Sequence, residues 1–246
     1  MTAIAIIGGT GLSRLEGLEI VRREVVYTPY GEPASPVIHG RFAGRKAVFL
    51  ARHGQGHRLP AHRVNYRANL WALKSIGVEA VIAISTVGGI RENLLPGMLA
   101  VPDQIVDYTH GRANSYFDEG RVVHVDFTDP YDHGLRQRLL AAGKSAGIEV
   151  VDGGVYAATQ GPRLETAAEI NRLERDGCDM VGMTGMPEAA LARELELSYA
   201  VCAVVLNRAA GRGPRDIHAE IETSLEVGVA RAHTLLGALL PLMSAR

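Results

Sequence analysis

Glycine, hydroxyl and arginine residues recur at several points of the chain, each directly after a run of apolar residues. The first group, Gly8-Gly9-Thr10-Gly11, follows residues 3–7. Glycines let several backbone N–H groups converge on one anion, and the Thr10 hydroxyl adds a donor. The pattern indicates a phosphate-binding loop. A glycine-rich turn that binds no ligand is an equally good alternative. A dinucleotide fingerprint would need a third glycine where Arg14 stands, and the Gly-Lys-Ser/Thr of a Walker-type loop is absent.

Three further groups add a cation, an imidazole and more hydroxyls. Ala51-Arg52-His53-Gly54 offers a guanidinium, which can hold phosphate through two parallel hydrogen bonds. Taken alone, Arg52 is more often a salt-bridge partner, and His53 and His57 are more often structural. Residues 84–89 and 181–188 end two other apolar runs with hydroxyls and glycines. Since open α/β sheets bind ligands at the carboxyl edge of their strands, the four groups together predict one phosphate site.

The elements that must position these groups can be predicted from residue periodicity. Short β-branched runs predict buried strands at residues 3–7, 46–51, 80–85, 98–106, 149–157, 179–183 and 198–206. Helical spacing predicts helices at residues 63–76, 131–146, 164–175, 187–194 and about 218–240. The alternation predicts an α/β fold, a single domain over residues 1–246 with a mixed, twisted β-sheet flanked by helices.

Composition narrows the class of partner. The chain is 47% apolar and 22% charged, which is typical of a globular protein, and its net charge of −1 gives no field that would attract nucleic acid or an anionic membrane. No leader is recognised and no apolar run approaches the roughly 20 residues of a spanning helix, so we expect a cytoplasmic protein. Cys178 and Cys202 lack metal-type spacing and are expected to be free, buried thiols.

Longer motifs run through nearly the whole chain: Ile7-Gly8-Gly9-Thr10-Gly11-Leu12, residues 50–54, Val64-Asn65-Tyr66 with Ala68-Asn69 and Trp71-Ala72-Leu73, and Gly161-Pro162-Arg163. They resemble the trimeric purine nucleoside phosphorylase and methylthioadenosine phosphorylase family. The resemblance implies a nucleoside phosphorylase fold, a homotrimer, and cleavage of a purine nucleoside by inorganic phosphate. It implies no metal and no organic cofactor, because phosphate is itself a co-substrate.

The resemblance also assigns roles to individual residues. Phosphate would be held by Thr10, Arg52, His53, Ser85, Thr86 and Thr184. The base pocket would be lined by Gly88, Leu164, Glu165 and Asn207, with Met183 against the ribose. Residues 112–129, with His124, resemble the segment by which a neighbouring subunit completes the sugar pocket. The sugar's 5′ substituent would meet His218 in an ungapped reading, or Ile221 one turn further on.

The purine edge follows from donors and acceptors. A 6-oxopurine presents an acceptor at O6 and a donor at N1, whereas adenine presents the opposite pair. Asn207 can donate to O6 and accept from N7–H, and the Glu165 carboxylate can accept from N1–H. Methylthioadenosine phosphorylases typically carry aspartates where this chain has Asn207 and Ala209, although the region up to Trp71 looks like that branch. The combination implies cleavage of S-methyl-5′-thioinosine to hypoxanthine and S-methyl-5-thioribose 1-phosphate.

Several alternatives stay open at this point. The substrate is alternatively S-methyl-5′-thioadenosine, or inosine and guanosine. If they do not bind the base, Asn207 is a turn-capping residue and Glu165 is an ordinary acid in the first turn of a helix. From other classes, a nucleotide-cofactor oxidoreductase is disfavoured by the missing third glycine. A non-catalytic nucleoside-binding protein would be separated from an enzyme by phosphate-dependent release of free base.

Overall fold

Strand β1 (Ala3–Gly8) illustrates how the sequence covers both faces of a sheet. Ile4 and Ile6 belong to one apolar cluster and Ala5 and Ile7 to another, and each of them is at most 5% exposed. A strand buried on both faces has a continuous apolar sequence, because neither set of alternating side chains meets water. These coordinates come from a computed structural model, which describes residues 3–118, 120–213 and 216–243.

Eleven strands form one mixed sheet, which confirms the predicted fold class. After β1 these are β2 (Glu19–Glu24), β3 (Val37–Phe42), β4 (Arg45–Ala51), β5 (Val78–Gly89), β6 (Leu99–Val101), β7 (Gln104–Asp107), β8 (Val150–Asp152), β9 (Val155–Ala158), β10 (Met180–Gly182) and β11 (Ser198–Arg208). The main path runs β2-β3-β4-β1-β5-β10-β9-β7, and β11 branches from β5 to carry β6 and β8.

The strand predictions were wrong in two respects. The expected strand at 98–106 is two strands, since Pro102 has no N–H to continue a ladder. The expected strand at 149–157 is also two, separated by Gly153 and Gly154 at φ 77° and 115°. Strands β2 and β3 were missed, because β2 is a polar edge strand whose residues are nearly all exposed.

In the described part of the chain, five α-helices cover the sheet: α1 (Tyr66–Ser75), α2 (His133–Ser145), α3 (Ala167–Arg175), α4 (Gly185–Glu194) and α5 (Ile217–Leu242). The side chains of Asn65, Asp132, Thr166 and Asp216 each accept a backbone N–H at a helix N-terminus, which explains where four of these helices begin. Helices α2 and α5 pack on the Ile4 face of the sheet, and α1 and α4 pack on the opposite face.

The sheet brings several strand ends to one edge. Strand β1 is parallel to β4 and β5, and β5 is parallel to β11, so their carboxyl ends lie on the same side. At the end of β5, Gly88 and Gly89 also pair with the antiparallel strand β10. The loops after β1, β4 and β10 and the last residues of β5 and β11 therefore meet.

A bulge interrupts β11 close to this edge. Val205 pairs with Val87 and Asn207 pairs with Gly88, so Leu206 is an extra residue. Two adjacent residues of a regular strand point to opposite faces, whereas a bulge places two residues opposite one. Leu206 and Asn207 can therefore line the same cavity.

Helix α5 is long and apolar enough to cross a membrane by length and composition, contrary to the expectation that no segment would be. Its apolar side chains pack on the sheet, with Leu235, Leu236 and Leu239 fully buried. A core helix of a globular fold passes the same test.

Cys178 and Cys202 are free and buried, as predicted.

Candidate active site

A cavity of about 300 Å³ opens at the carboxyl edge of the sheet. All but three of the predicted site residues line it: Thr10, Arg52, His53, Thr86, Gly88, Leu164, Glu165, Met183, Thr184, Asn207 and Ile221. The exceptions are Ser85, His124 and His218. The lining comes from five strand ends or loops, from the segment before α3 and from the start of α5, so residues far apart in sequence meet in one space.

Arg52 forms part of one wall of the cavity and is fully buried. Its Nε and Nη2 donate to the two carboxylate oxygens of Glu188 at 2.7 and 2.8 Å, and Nη1 donates to the Ile84 carbonyl at 2.8 Å. Burial opposes the charge, but the Glu188 carboxylate raises the pKa of Arg52 above its ordinary value. The guanidinium is thus charged and fixed, with two of its five N–H groups left for a ligand.

Glu188 was not singled out from the sequence as a functional residue. Its side chain is buried, and its Oε1 also accepts a hydrogen bond from the Tyr199 hydroxyl at 2.8 Å. Burial raises the pKa of Tyr199 well above its ordinary value, so this hydroxyl keeps its proton. Glu188 and Arg52 are 136 residues apart in sequence, and no local spacing could have paired them.

The glycine-rich turn after β1 lies directly against this guanidinium. A Cβ at Gly9 would be 2.7 Å from the Ile84 carbonyl oxygen and 2.9 Å from Nη1 of Arg52. A Cβ at Gly8 would be 2.1 Å from the Leu12 carbonyl oxygen. Both glycines are therefore needed for close packing, and Gly9 and Thr10 line the cavity beside Arg52.

The His53 ring forms part of the same wall. Its Nδ1 lies 2.8 Å from the Leu59 carbonyl, and its ring stacks on that of His57 with centroids 4.2 Å apart. Burial, together with the charge of Arg52, lowers the pKa of His53 to about 4. The imidazole is therefore neutral at physiological pH.

Hydroxyl groups form the rest of this wall. Thr10, Thr86 and Thr184 line the cavity, whereas Ser85 is buried and its hydroxyl lies 3.2 Å from that of Thr184. Ser85 is thus placed to orient Thr184. It was expected to hold phosphate directly, but it does not line the cavity.

A second wall carries an amide and a carboxylate. Asn207 is 8% exposed, and its Nδ2 donates to the Arg208 carbonyl at 2.8 Å. Glu165 accepts a hydrogen bond from the Thr159 hydroxyl on Oε1 at 2.6 Å. A Cβ at Gly88 would lie 3.3 Å from the Asn207 amide nitrogen, so this glycine gives the amide room.

Helix α5 supports the bulge from behind. Ser224 donates to the Leu206 carbonyl, and the Glu220 carboxylate accepts the Arg208 N–H at 2.7 Å. The backbone on both sides of Asn207 is therefore tied to one helix. The same helix presents Ile217 and Ile221 to the cavity one turn apart, while His218 is exposed and does not line it. Of the two candidates for the 5′ end, the structure brings only Ile221 to the cavity.

Arg112 holds two of the cavity's loops together. Nη1 donates to the Met183 and Met186 carbonyls at 2.8 and 2.6 Å, and Nη2 donates to the Thr159 and Gln160 carbonyls. Its Nε donates to the Gln160 side chain, so all five N–H groups are used. In the same segment, His124 is exposed on the chain, and its role in a neighbour's pocket stays a prediction. Over the described ranges, no group of three or more metal-ligating side chains is found.

The cavity thus joins a guanidinium and three threonine hydroxyls, which can bind an oxyanion, to an amide and a carboxylate, which can bind a polar ring such as a base. Residues 3–241 match the Phosphorylase superfamily, and the chain belongs to it.

Individual relatives cover almost the whole chain. A probable S-methyl-5′-thioinosine phosphorylase of Pseudomonas syringae is 56% identical over 98% of this chain and 99% of its own. A protein of the same description from Xanthomonas campestris is 51% identical over 96% of both. The structure of methylthioadenosine phosphorylase from Schistosoma mansoni with adenine is 31% identical, covers 100% of this chain and 93% of its own, and superposes with a TM-score of 0.93.

Proposed function

We propose that this enzyme cleaves 6-oxopurine nucleosides with inorganic phosphate, and that S-methyl-5′-thioinosine is its preferred substrate. The products would be hypoxanthine and S-methyl-5-thioribose 1-phosphate. The observation that carries the proposal is that Asn207 and Glu165 line the same cavity as Arg52 and the threonine hydroxyls. The names of the relatives from Pseudomonas syringae and Xanthomonas campestris support the same substrate.

Phosphorolysis of an N-glycoside requires no protein nucleophile. An oxygen of HPO₄²⁻ forms a bond to C1′ while the C1′–N9 bond breaks and its electron pair moves to the base, and the phosphate proton is finally carried by the released purine. The sugar is oxocarbenium-like in between. Catalysis then consists of positioning and charge stabilisation. Arg52, Thr10, Thr86 and Thr184 are the donors for phosphate, and Met183 is the contact for the ribose.

The hydrogen bonds already made on the second wall leave the groups that a 6-oxopurine needs. Asn207 donates one amide hydrogen to the Arg208 carbonyl, which fixes its orientation. Its second hydrogen is free for O6 and its oxygen for N7–H. Glu165 has one oxygen engaged by Thr159 and the other free to accept from N1–H. With adenine, the carboxylate would instead face the N1 lone pair.

The apolar side chains at the start of α5 favour a methylthio group at the 5′ position. Ile217, Ile221 and Leu206 line this part of the cavity and offer no hydrogen-bonding side chain. A 5′-hydroxyl buried here would lose its bonds to water without replacement, whereas a methylthio group gains from burial of apolar area.

We also propose that the active species is a homotrimer. Arg112 is bound to the loops at Met183 and Gln160, and His124, in the segment that the resemblance assigns to a subunit contact, is exposed on the chain. Sedimentation that finds a fully active monomer at assay concentration would refute the trimer.

Inorganic phosphate acts as co-substrate in this proposal, with no metal or organic cofactor.

The substrate proposal is tested by kcat/KM for S-methyl-5′-thioinosine, S-methyl-5′-thioadenosine, inosine and adenosine, with and without phosphate. We expect base release to require phosphate, and the 6-oxo methylthio substrate to be preferred over its 6-amino analogue by roughly 10⁴-fold, since a buried site rejects a ligand with mismatched donors. Preference for the adenine compound would refute the assigned base edge. Base release without phosphate would refute phosphorolysis.

The variant Asn207→Asp sharpens the test. It should lower the 6-oxo kcat/KM by about 10- to 100-fold and raise the 6-amino value, because a carboxylate can accept from both N7–H and N6–H. Asn171→Asp is the matched control: it makes the same chemical change at an exposed position on α3 and should leave both values unchanged.

A further inference from the structure

The part of the cavity lining formed by Thr10, Arg52, His53, Thr86 and Thr184 is called the oxyanion wall below. Its arginine gives it no net charge. Among the lining residues in the described part of the chain, Arg52 is the one arginine or lysine, and Glu188 neutralises it through two hydrogen bonds. Because Glu188 is buried, water does not screen this pair, and the carboxylate acts on any anion bound beside it. The wall must therefore recognise an anion by the pattern of its donors and acceptors more than by its charge.

One group on this wall is an acceptor. A carbonyl oxygen can only accept, so the 2.8 Å contact with Leu59 requires the proton of the His53 ring on Nδ1. In a neutral imidazole, the other nitrogen then carries a lone pair. Nε2 has no hydrogen-bond partner among the described residues, and the ring lines the cavity. Burial of the ring and the stacked His57 both disfavour a second proton on it.

We propose that His53 makes the site selective for oxyanions that carry a proton, with Nε2 accepting a hydrogen bond from the P–OH group of HPO₄²⁻. Phosphate and arsenate keep such a proton at neutral pH, whereas sulfate has none and would turn an oxygen toward the lone pair. The inference rests on the proposed use of phosphate as co-substrate. It revises the sequence-based role of His53, which was that of a phosphate-holding residue without a stated direction of hydrogen bonding.

Fluorophosphate, FPO₃²⁻, gives the sharpest test in the unaltered enzyme. At pH 7.5 it has the charge and nearly the shape of HPO₄²⁻, with fluorine in place of the hydroxyl. Calorimetric titration without nucleoside, at constant ionic strength, should give similar affinities for phosphate and arsenate. Fluorophosphate and sulfate should bind about 10- to 100-fold more weakly, the loss expected when a buried acceptor faces no donor. Equal affinity for phosphate, fluorophosphate and sulfate would overturn the proposal.

The variant His53→Gln tests the residue itself. A glutamine amide can turn to donate or to accept, so the ratio of sulfate to phosphate dissociation constants should fall toward one. His133→Gln is the matched control, because this side chain is exposed on α2 and does not line the cavity, and it should keep the wild-type ratio. An unchanged ratio in His53→Gln would refute the assignment to His53.

The two proposals fail separately. Absence of phosphorolysis with every nucleoside tested would refute the proposed function. The selectivity for protonated oxyanions would still be tested by the ratios of the anion dissociation constants, which are measured without nucleoside. Conversely, phosphorolysis with unselective anion binding would refute only the role of His53. If His53→Gln does not fold, the fluorophosphate comparison in the wild-type enzyme still decides.

Discussion

Gly9→Ala places a methyl group where the structure has no room for it. The added Cβ would lie 2.7 Å from the Ile84 carbonyl oxygen and 2.9 Å from Nη1 of Arg52, and that nitrogen donates to the same carbonyl at 2.8 Å. Ile84 is in the interior of β5, paired to β11, so its carbonyl cannot easily retreat. We expect the arginine or the glycine-rich turn to move and the hydrogen bond to be lost.

The magnitude follows from the hydrogen bond that a displaced Arg52 would no longer make to phosphate. A hydrogen bond to a charged group contributes about 1.5–3 kcal/mol, which corresponds to roughly a 10- to 100-fold change in binding. The loss should appear in the KM and dissociation constant for phosphate, because Arg52 lies on the oxyanion wall. Nucleoside binding should change much less, since the atoms nearest the added Cβ belong to Ile84 and Arg52 and not to Asn207 or Glu165.

The assay is steady-state phosphorolysis, first with varied phosphate at saturating nucleoside and then with varied nucleoside at saturating phosphate. Thermal unfolding is measured on the same variants. Gly237→Ala is the matched control: this glycine lies in α5, has no atom within 4 Å of an added Cβ, and its replacement should stabilise the helix by up to about 1 kcal/mol. An unchanged phosphate KM in Gly9→Ala would refute the assignment of this turn and of Arg52 to the anion site. An equal rise in both KM values would point to general damage instead.

Three further outcomes are expected. Ile221→Ser should reduce the preference for a 5′-methylthio over a 5′-hydroxyl group by about tenfold, measured as the ratio of kcat/KM values, because apolar contact is lost. Thr166→Ala removes the capping box with Glu169 and should cost about 1 kcal/mol in urea unfolding, with kcat unaffected. His53, whose folded pKa is lowered to about 4, should reduce stability as pH falls from 6.5 toward 4, and His53→Gln should flatten this dependence.

Most of the residues predicted for the site line one cavity, and the sequence could indicate them because they follow apolar strands directly. The strand at 3–7 and the loop at Thr10, or the strand at 46–51 and Arg52, are adjacent in the chain, so local patterns carry the information. The helix predicted at 131–146 is observed as α2, since an Asp132 cap and a regular apolar spacing mark it. Residue roles at the base wall remain predictions from resemblance.

What sequence reasoning missed depends on contacts across the fold. The Arg52–Glu188 pair requires α4 to be packed beside the end of β4, and the protonated nitrogen of His53 is set by a carbonyl six residues away. The bulge at Leu206 follows from the pairing of β11 with β5 and has no signature in the sequence 198–208. Ser85 was predicted to hold phosphate and does not line the cavity, because strand alternation alone does not say which face opens to it.

The Arg112 guanidinium makes the rim of the cavity mechanically cooperative. When every donor of one group is engaged, the residues it holds can separate only if several bonds break together, and such segments open as one unit. The loops at 159–160 and 183–186 should therefore show matched amide exchange rates and open in a single local event.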